Sequence, residues 1–270
     1  MFASSANGGA EPVRTIEGQA TLLSRTSHQI AMDPVHDEIV TTNPFAEAIL
    51  FFRGAAKGEE PPIRTIQGPD TKLMHIGVDN ISVDAVNGEV LTANQLTDTV
   101  LVFSRLSSGN VPPIRMIHGP KTRLNGPRRA EVDPINNVIV VAQMGDPKGI
   151  LIFNRTDDGD VAPKAIISGP KTGMEGEGVK RHALYPAGKE IFALVRPARI
   201  DGKREGVGFI GVWKYTDNGN VPPYAMLRAS ALTKIENAGG IALNPKTKEI
   251  YVDSGATPSS LLTFDLPEMF

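Results

Sequence analysis

The sequence contains no cysteine among its 270 residues. This absence excludes disulfide bonds, thiolate nucleophiles and thiolate metal sites, and it leaves the redox compartment undetermined. No apolar run approaches the roughly 20 residues that a membrane-spanning helix requires, so we expect no membrane insertion. The formal net charge is only −2. A charge so close to zero gives no global attraction to nucleic acid, and we expect no nucleic-acid partner.

The first residues, MFASSANGG, lack the charged start and apolar middle of a signal peptide. Two alternatives therefore remain open for localisation. Either the protein stays where it is made, or the sequence is a mature extracytoplasmic region, as in a secreted bacterial protein, whose leader is missing.

A segment that begins with proline recurs five times. It reads PVRTIEG, PIRTIQG, PIRMIHG, PKAIISG and PYAMLRA, and it closes at Gly18, Gly68, Gly119, Gly169 and Ala229, in steps of 50, 51, 50 and 60 residues. An aromatic residue keeps the same spacing, at Phe52, Phe103, Phe153, Trp213 and Phe264. A repeat of about 50 residues built of short strands indicates a solenoid or a propeller.

Each repeat contains four strand-like segments rich in Val, Ile, Thr and aromatic residues, separated by Gly, Pro, Asn and Asp. No helical period is sustained. We therefore predict an all-β fold, a five-bladed β-propeller of four-stranded antiparallel blades, forming a single domain over residues 1–270. The strands of a blade are named inner, second, third and outer, in chain order.

The fifth repeat, 240–266, ends without an outer strand, while residues 12–18 form an outer strand that has no blade of its own. We predict that this N-terminal strand completes the last blade and closes the ring, because an open sheet edge would leave backbone groups unpaired. The alternative is that the chain is a fragment of a six-bladed propeller.

Two motifs resemble those of the NHL-repeat class of β-propellers and of related bacterial propellers with YVTN-type second strands. Inner strands followed by Asp-Pro or Asn-Pro, at Asp33, Asp133 and Asn244, are similar to the IAVD element of that class, and second strands ending at Asn43 and Asn94 are similar to its YVAN element. The resemblance implies blade structure rather than chemistry. The class includes protein-interaction platforms, lyases and lactonases, so it does not choose a function.

Loops that lead into the inner strands share a face with loops that join the second and third strands, and propellers usually carry their sites on such a face. The residues that we predict to bind a ligand there are mostly cationic: Arg128, Arg129, Lys180, Arg181, Arg196, Arg199, Lys203 and Arg204, with His28 and Asp79. They include the long loop 196–206 of blade four. A local cationic rim predicts an anion or an acidic protein as partner. The alternative is that these are solvated loop charges, offset by Glu175, Glu177, Asp201 and Glu205.

No serine elbow, phosphate-binding glycine loop or other catalytic motif is present. The leading prediction is therefore a non-catalytic binding or interaction scaffold without a cofactor. The alternative is a metal-dependent lyase or lactone hydrolase at the channel mouth, with zinc held by His28, His75 and His182, or calcium by oxygens such as those of Asp79 and Asn80. A purely structural module of a larger assembly is a third possibility.

Two further predictions concern charged residues outside the rim. Glu131 stands where other inner strands carry Ala or Ser, and we expect it to pair with Arg129. The recurring outer arginines Arg14, Arg64 and Arg115 are expected to lay their stems over apolar neighbours.

Overall fold

The structure is a computed structural model. It describes the whole chain except residues 4–7, 25–28, 75–76, 202, 206, 229, 231–234, 236–237 and 254–259, with backbone alone at 199–200 and 203–205. Within these residues the fold is all-β and contains no α-helix. None of the described helical turns has the length and apolar character that a membrane crossing requires.

The strands form five successive antiparallel sheets, each built from one repeat. Blade one contains β1 (Ile30–Asp33), β2 (Glu38–Asn43), β3 (Ala48–Arg53) and β4 (Arg64–Gln67). Blade two contains β5 (Ser82–Asp84), β6 (Glu89–Asn94), β7 (Thr99–Ser104) and β8 (Arg115–Ile117). Blade three contains β9 (Pro127–Asp133), β10 (Val138–Gln143), β11 (Gly149–Asn154) and β12 (Ala165–Ser168).

Blade four contains β13 (Gly178–Tyr185), β14 (Glu190–Arg196), β17 (Phe209–Lys214) and β18 (Ala225–Arg228), with a separate hairpin of β15 (Ala198–Ile200) and β16 (Lys203–Glu205) between its second and third strands. Blade five contains β19 (Ile241–Asn244), β20 (Glu249–Asp253) and β21 (Leu261–Asp265). Short 3-10 turns lie at Gln19–Thr21, Pro69–Thr71, Pro120–Thr122, Pro170–Thr172 and Pro267–Met269. The predicted five-bladed β-propeller is thereby confirmed.

The hydrophobic core lies between neighbouring blades, where aliphatic side chains of facing sheets interdigitate. The recurring aromatic of the third strand belongs to this core. Phe52, Phe103, Phe153 and Trp213 are at most 1% exposed. Because each sheet buries both faces, the second and third strands are almost continuously apolar instead of alternating.

The N-terminal segment 12–18 takes the position of an outer strand that precedes blade one. Its backbone exchanges two hydrogen bonds with Gly58, through the Thr15 carbonyl at 2.8 Å and the Glu17 amide at 2.9 Å. The outer strand of blade one makes the same parallel bridge to Gly109 of blade two. The predicted pairing of this segment with the third strand of blade five is not observed. In the described residues the sheet of blade five ends at β21 with three strands, and 12–18 does not pair with it.

The glycine that closes each outer strand allows the next blade to dock. Gly68 has a φ of 128°, a region that L-residues avoid, and a Cβ atom at this position would lie 2.5 Å from the Asn110 side chain of blade two. Asn110 Oδ1 accepts a 2.8 Å hydrogen bond from the Asp70 amide. The repeated Pro-led segment therefore ends in glycine because a neighbouring side chain occupies the space beside it.

Gly68→Ala is expected to lower the free energy of unfolding by about 2 kcal/mol, since it combines backbone strain with a collision against Asn110. Gly109→Ala is the matched control. Gly109 also has a positive φ, 76°, but open space where a Cβ would lie, so its loss should be about 1 kcal/mol. Urea denaturation measures both, and equal losses would contradict the role of the Asn110 contact.

Candidate functional site: a cationic channel mouth

Two β-bulges occupy the same position of the repeat in blades three and four. In β9 the register with β10 shifts so that Arg128 has no partner. In β13 it shifts between Val179 and Arg181, which leaves Lys180 without a partner on β14. A bulge bends its strand and redirects the extra side chain, and bulges are frequent beside binding sites. The two bulges thus display one cation each at the same end of neighbouring inner strands.

Antiparallel pairing places the end of each second strand beside the start of its inner strand, so Arg196 at the end of β14 lies opposite Gly178. We call Arg128, Lys180, Arg181 and Arg196 the mouth cluster. The charges of Arg128 and Arg196 act on both Lys180 and Arg181. All four side chains are partly buried instead of projecting freely into solvent. The topology therefore brings several of the cations that the sequence predicted to form a rim to the same end of blades three and four.

Arg128 has unused hydrogen-bonding capacity. Among the described residues its one hydrogen-bond acceptor is the Met144 thioether, with Nη1 at 3.1 Å from Sδ, and sulfur is a weak acceptor. Its Nε is buried and has no partner in that part of the chain. A guanidinium can donate five hydrogen bonds in a planar fork that fits carboxylate or phosphate oxygens. Within the described residues, Arg128 therefore retains donor groups that no strong acceptor satisfies.

Three carboxylates accompany the mouth cluster. Asp79 and Glu177 act electrostatically on Lys180, and Asp253 acts on Arg181. Asp253 is bonded locally, because its Oδ1 accepts a hydrogen bond from the Gly239 amide. The predicted ligand residue Asp79 thus lies at the mouth, as a neighbour of the cations.

Burial and like charges weaken protonation of two mouth residues. Desolvation, followed by the charges of Arg128 and Arg196, lowers the pKa of Lys180 to about 8. Desolvation, followed by the charge of Arg128, lowers the pKa of Arg181 to about 10. An anionic ligand would offset these repulsions and raise both pKa values again.

Arg129 lies deeper than its neighbour Arg128 and is only 1% exposed. Its Nη1 donates to Gln29 Oε1 at 2.5 Å and to the Asp79 carbonyl at 2.8 Å, which connects blades one, two and three. This arginine connects neighbouring blades near their inner strands, and its burial makes it inaccessible to a ligand on the rim.

The expected pairing of Arg129 with Glu131 is wrong, since no ion pair joins them in the described residues. Glu131 lies on β9 and is partly buried. Desolvation raises the pKa of its carboxyl to about 8. The carboxyl is therefore mostly protonated at neutral pH.

Of the three histidines proposed as an alternative zinc site, His182 is the one that lies within the described residues. His182 is 2% exposed, and desolvation in this buried position, opposed by the Val140 backbone, lowers its pKa to about 4. His28 and His75 lie outside the described residues. Asn80, an oxygen donor of the alternative calcium site, is fully buried, and its side chain bonds the Ala93 amide and the Ala130 carbonyl. No group of three potential metal ligands occurs in the part of the chain that the structure describes.

Three predicted cations belong to the β15–β16 hairpin, in which Arg199 pairs with Arg204. The side chains of Arg199, Lys203 and Arg204 lie outside the described residues, so these positions stay predictions. The backbone of the hairpin continues directly from Arg196 and so belongs to the loop beside the mouth cluster.

Of the three outer arginines, Arg64 stacks on an apolar neighbour, and Arg64 and Arg115 form ion pairs that the repeat alone did not reveal. The guanidinium of Arg64 lies 4.7 Å from the centre of the Phe51 ring. Its Nη2 also lies 2.6 Å from Glu38 Oε2. Arg115 forms the equivalent pair with Glu89 in blade two. These arginines hold the outer strands to the second strands.

Comparison with known proteins reveals similarity of fold at low sequence identity. Hydrazine synthase of Kuenenia stuttgartiensis aligns with a TM-score of 0.60 and 12% identity over 91% of this chain and 59% of that chain. The β-propeller domain of Cps50 (Swd1) from Myceliophteria thermophila aligns with a TM-score of 0.59 and 11% identity over 89% and 65%. A putative 6-phosphogluconolactonase from Bacteroides uniformis aligns with a TM-score of 0.50 and 17% identity over 83% and 62%.

No family model matches the sequence, and no curated protein matches it. The chain spans less than two thirds of the length of each of these three solved structures. At such low identity the similarity establishes the β-propeller fold and carries no activity over to this chain.

Proposed function

We propose that this β-propeller is a binding scaffold whose mouth cluster holds the anionic group of a ligand or of an acidic partner protein. The observation that carries the proposal is Arg128, a partly buried guanidinium with a thioether as its one acceptor in the described residues. Burying an arginine away from water is costly unless its donors are satisfied. A carboxylate or phosphate group would supply the missing acceptors.

The neighbours of Arg128 favour an anion over a neutral ligand. Lys180, Arg181 and Arg196 raise the local positive potential on a chain whose net charge is close to zero. All four side chains are partly buried, and partly buried charges are screened less than charges on an open surface. The NHL-repeat class that the motifs resemble includes protein-interaction platforms, so the resemblance is compatible with this role.

The test is calorimetric titration of the purified chain with inorganic phosphate, citrate and an acidic peptide. Arg128→Ala is expected to weaken binding of the active ligand by about 10- to 100-fold, the range for losing a hydrogen bond to a charged group. Arg123→Ala is the control, because Arg123 lies on the same blade but is exposed. Affinity that is unchanged in both Arg128→Ala and the charge reversal Arg128→Glu/Arg181→Glu would remove this site.

The proposal includes no cofactor. A metal-dependent lyase or lactone hydrolase is the competing hypothesis, and metal analysis of the purified protein separates the two. Stoichiometric zinc or calcium that is lost in His182→Ala or Asp79→Asn would reverse the ranking.

A further inference from the structure

We propose that Lys180 is a nucleophilic amine that forms an imine with the carbonyl carbon of a small oxo acid, whose carboxylate is held by the mouth cluster. The inference rests on the proposed anion site and specifies its ligand class. It adds a covalent step that anion binding alone does not require.

The first support is the placement of Lys180 on the chain. It is the unpaired residue of the bulge in β13, and Arg128 is the unpaired residue of the matching bulge in β9. The repeat thus presents an amine and a guanidinium from equivalent positions of adjacent blades. An oxo acid carries one functional group for each side chain, a carboxylate for the guanidinium and a carbonyl for the amine.

The second support is that the amine is free. In the described residues Lys180 Nζ has no hydrogen bond and no ion pair, although the side chain is partly buried. Its charged surroundings come from four elements: Arg128 on β9, Arg196 on β14, Asp79 before β5, and Glu177 before β13. Arg181 adds a further cation beside it.

Desolvation by burial and, after it, the charges of Arg128 and Arg196 favour the unprotonated amine in the chain without a ligand. With a pKa of about 8, roughly a tenth of Lys180 is neutral at pH 7, several hundred times the fraction of an ordinary lysine. A lysine amine activated by desolvation and a cationic neighbour is a recognised nucleophile for carbonyl compounds. The cations that lower this pKa are also the groups that would bind the carboxylate.

The reaction conserves atoms and electrons without an oxidant or a reductant. The nitrogen lone pair forms a C–N bond to the carbonyl carbon, and the carbonyl oxygen takes up a proton to give a carbinolamine. The hydroxyl then leaves, and the two nitrogen hydrogens and the carbonyl oxygen depart as one water. The product is the imine of Lys180 with the carboxylate still bound.

The experiment traps the imine by reduction. The chain is incubated with pyruvate and cyanoborohydride, and intact mass followed by peptide mapping locates the adduct. We expect one adduct at Lys180, formed at least tenfold faster than at any other lysine and with a rate that rises through pH 8. Acetone, which lacks the carboxylate, should react at the background rate. Adducts spread evenly over exposed lysines would overturn the inference.

Two variants distinguish failure of this inference from failure of the proposed function. Lys180→Arg keeps the positive charge but should abolish the specific adduct. Lys164→Arg, at an exposed lysine of blade three, should change neither the adduct nor phosphate binding. Arg128→Ala should slow trapping by about tenfold or more through weaker carboxylate binding. Anion binding without an adduct defeats the imine alone, and absence of anion binding defeats the site.

Discussion

Arg115→Ala is expected to lower the free energy of unfolding by about 3 kcal/mol, because it leaves a buried carboxylate short of its main partner. Arg115 forms a two-pronged ion pair with Glu89, with Nη1 to Oε1 at 2.7 Å and Nη2 to Oε2 at 2.8 Å. Glu89 is only 9% exposed. Arg155 of blade three contacts the same carboxylate at 3.0 Å, so part of the compensation remains after the substitution.

The loss should depend on pH. Desolvation by burial raises the pKa of Glu89, but the hydrogen bonds and charges of Arg115 and Arg155 outweigh it and hold the pKa below its usual value. A carboxyl with a lowered pKa stabilises the fold above its unfolded pKa, and this contribution disappears as the pH falls through the folded pKa. The difference between wild type and Arg115→Ala should therefore be complete at pH 7 and shrink as the pH falls below about 4.5.

Blade three shows how the same position is stabilised without charge. Val138 and Ala165 replace the Glu and Arg of the pair and are both buried. Tyr215 replaces the cation from the following blade and donates a 2.9 Å hydrogen bond to Asp133 Oδ2. An apolar replacement of a complete ion-pair network is often neutral, whereas removing one partner is costly.

The triple variant Glu89→Val/Arg115→Ala/Arg155→Tyr copies this arrangement into blade two. It should return to within about 1 kcal/mol of wild type and lose the pH dependence that Glu89 confers, because Glu89 and both of its arginine partners are removed together. Asp84, which lies 3.8 Å from Arg155 Nη1, would accept the hydrogen bond that Asp133 accepts from Tyr215 in blade three. Equilibrium urea denaturation at pH 7 and pH 4 tests both points. A triple variant less stable than Arg115→Ala would show that the three positions do not act as one unit.

Gly211→Leu is expected to cost about 4 kcal/mol, beyond the usual range for overpacking, because the space beside this glycine is already filled. A Cβ at Gly211 would lie 2.6 Å from Trp213 Cη2 and 3.0 Å from Phe209 Cε2. Trp213 is fully buried between blades three and four. The three preceding blades carry leucine at this position and phenylalanine two residues later: Leu50 and Phe52, Leu101 and Phe103, Leu151 and Phe153.

Blade four therefore has a smaller residue at the first of these two positions and a larger one at the second, on the same face of its third strand. Trp213→Phe alone should cost about 2 kcal/mol through the cavity that it leaves. The double variant Gly211→Leu/Trp213→Phe should recover at least half of the loss of Gly211→Leu, since the leucine then occupies the space of the missing indole ring. Thermal and urea unfolding of wild type, the two single variants and the double variant gives the double-mutant cycle. If the two losses of unfolding free energy simply add, the two positions do not compensate each other.

The repeat was predictable because strands and turns are specified by residues that are close together in the sequence. The Pro-led outer strands and the recurring aromatic of the third strands indicate where each blade begins and ends. Their spacing predicts the number of blades. The sequence was enough to predict that several cations lie on one face. The starts of β9 and β13, which carry Arg128 and Lys180, lie on one side of the sheets because strand direction alternates.

Which cations are buried in the core and which lie at the mouth could not be predicted from the sequence. Arg128 and Arg129 are adjacent and chemically identical in sequence, yet the bulge in β9 turns one toward the mouth and the buried core encloses the other. Where a bulge forms depends on the competition between strand pairing and docking of the next blade. Neither of these can be predicted from the residue types of the strand. The three-residue network around Glu89 likewise joins residues 26 and 66 positions apart.

The amino-acid sequence by itself determined that this chain forms five consecutive β-sheets of one kind, because strand propensity, turn residues and core aromatics act over a few neighbours. Only the tertiary structure decided which charged groups meet, which arginine is left with a weak acceptor, and where residues 12–18 attach. These depend on contacts between blades, whose energies are set by distance and by the exclusion of water rather than by position along the chain.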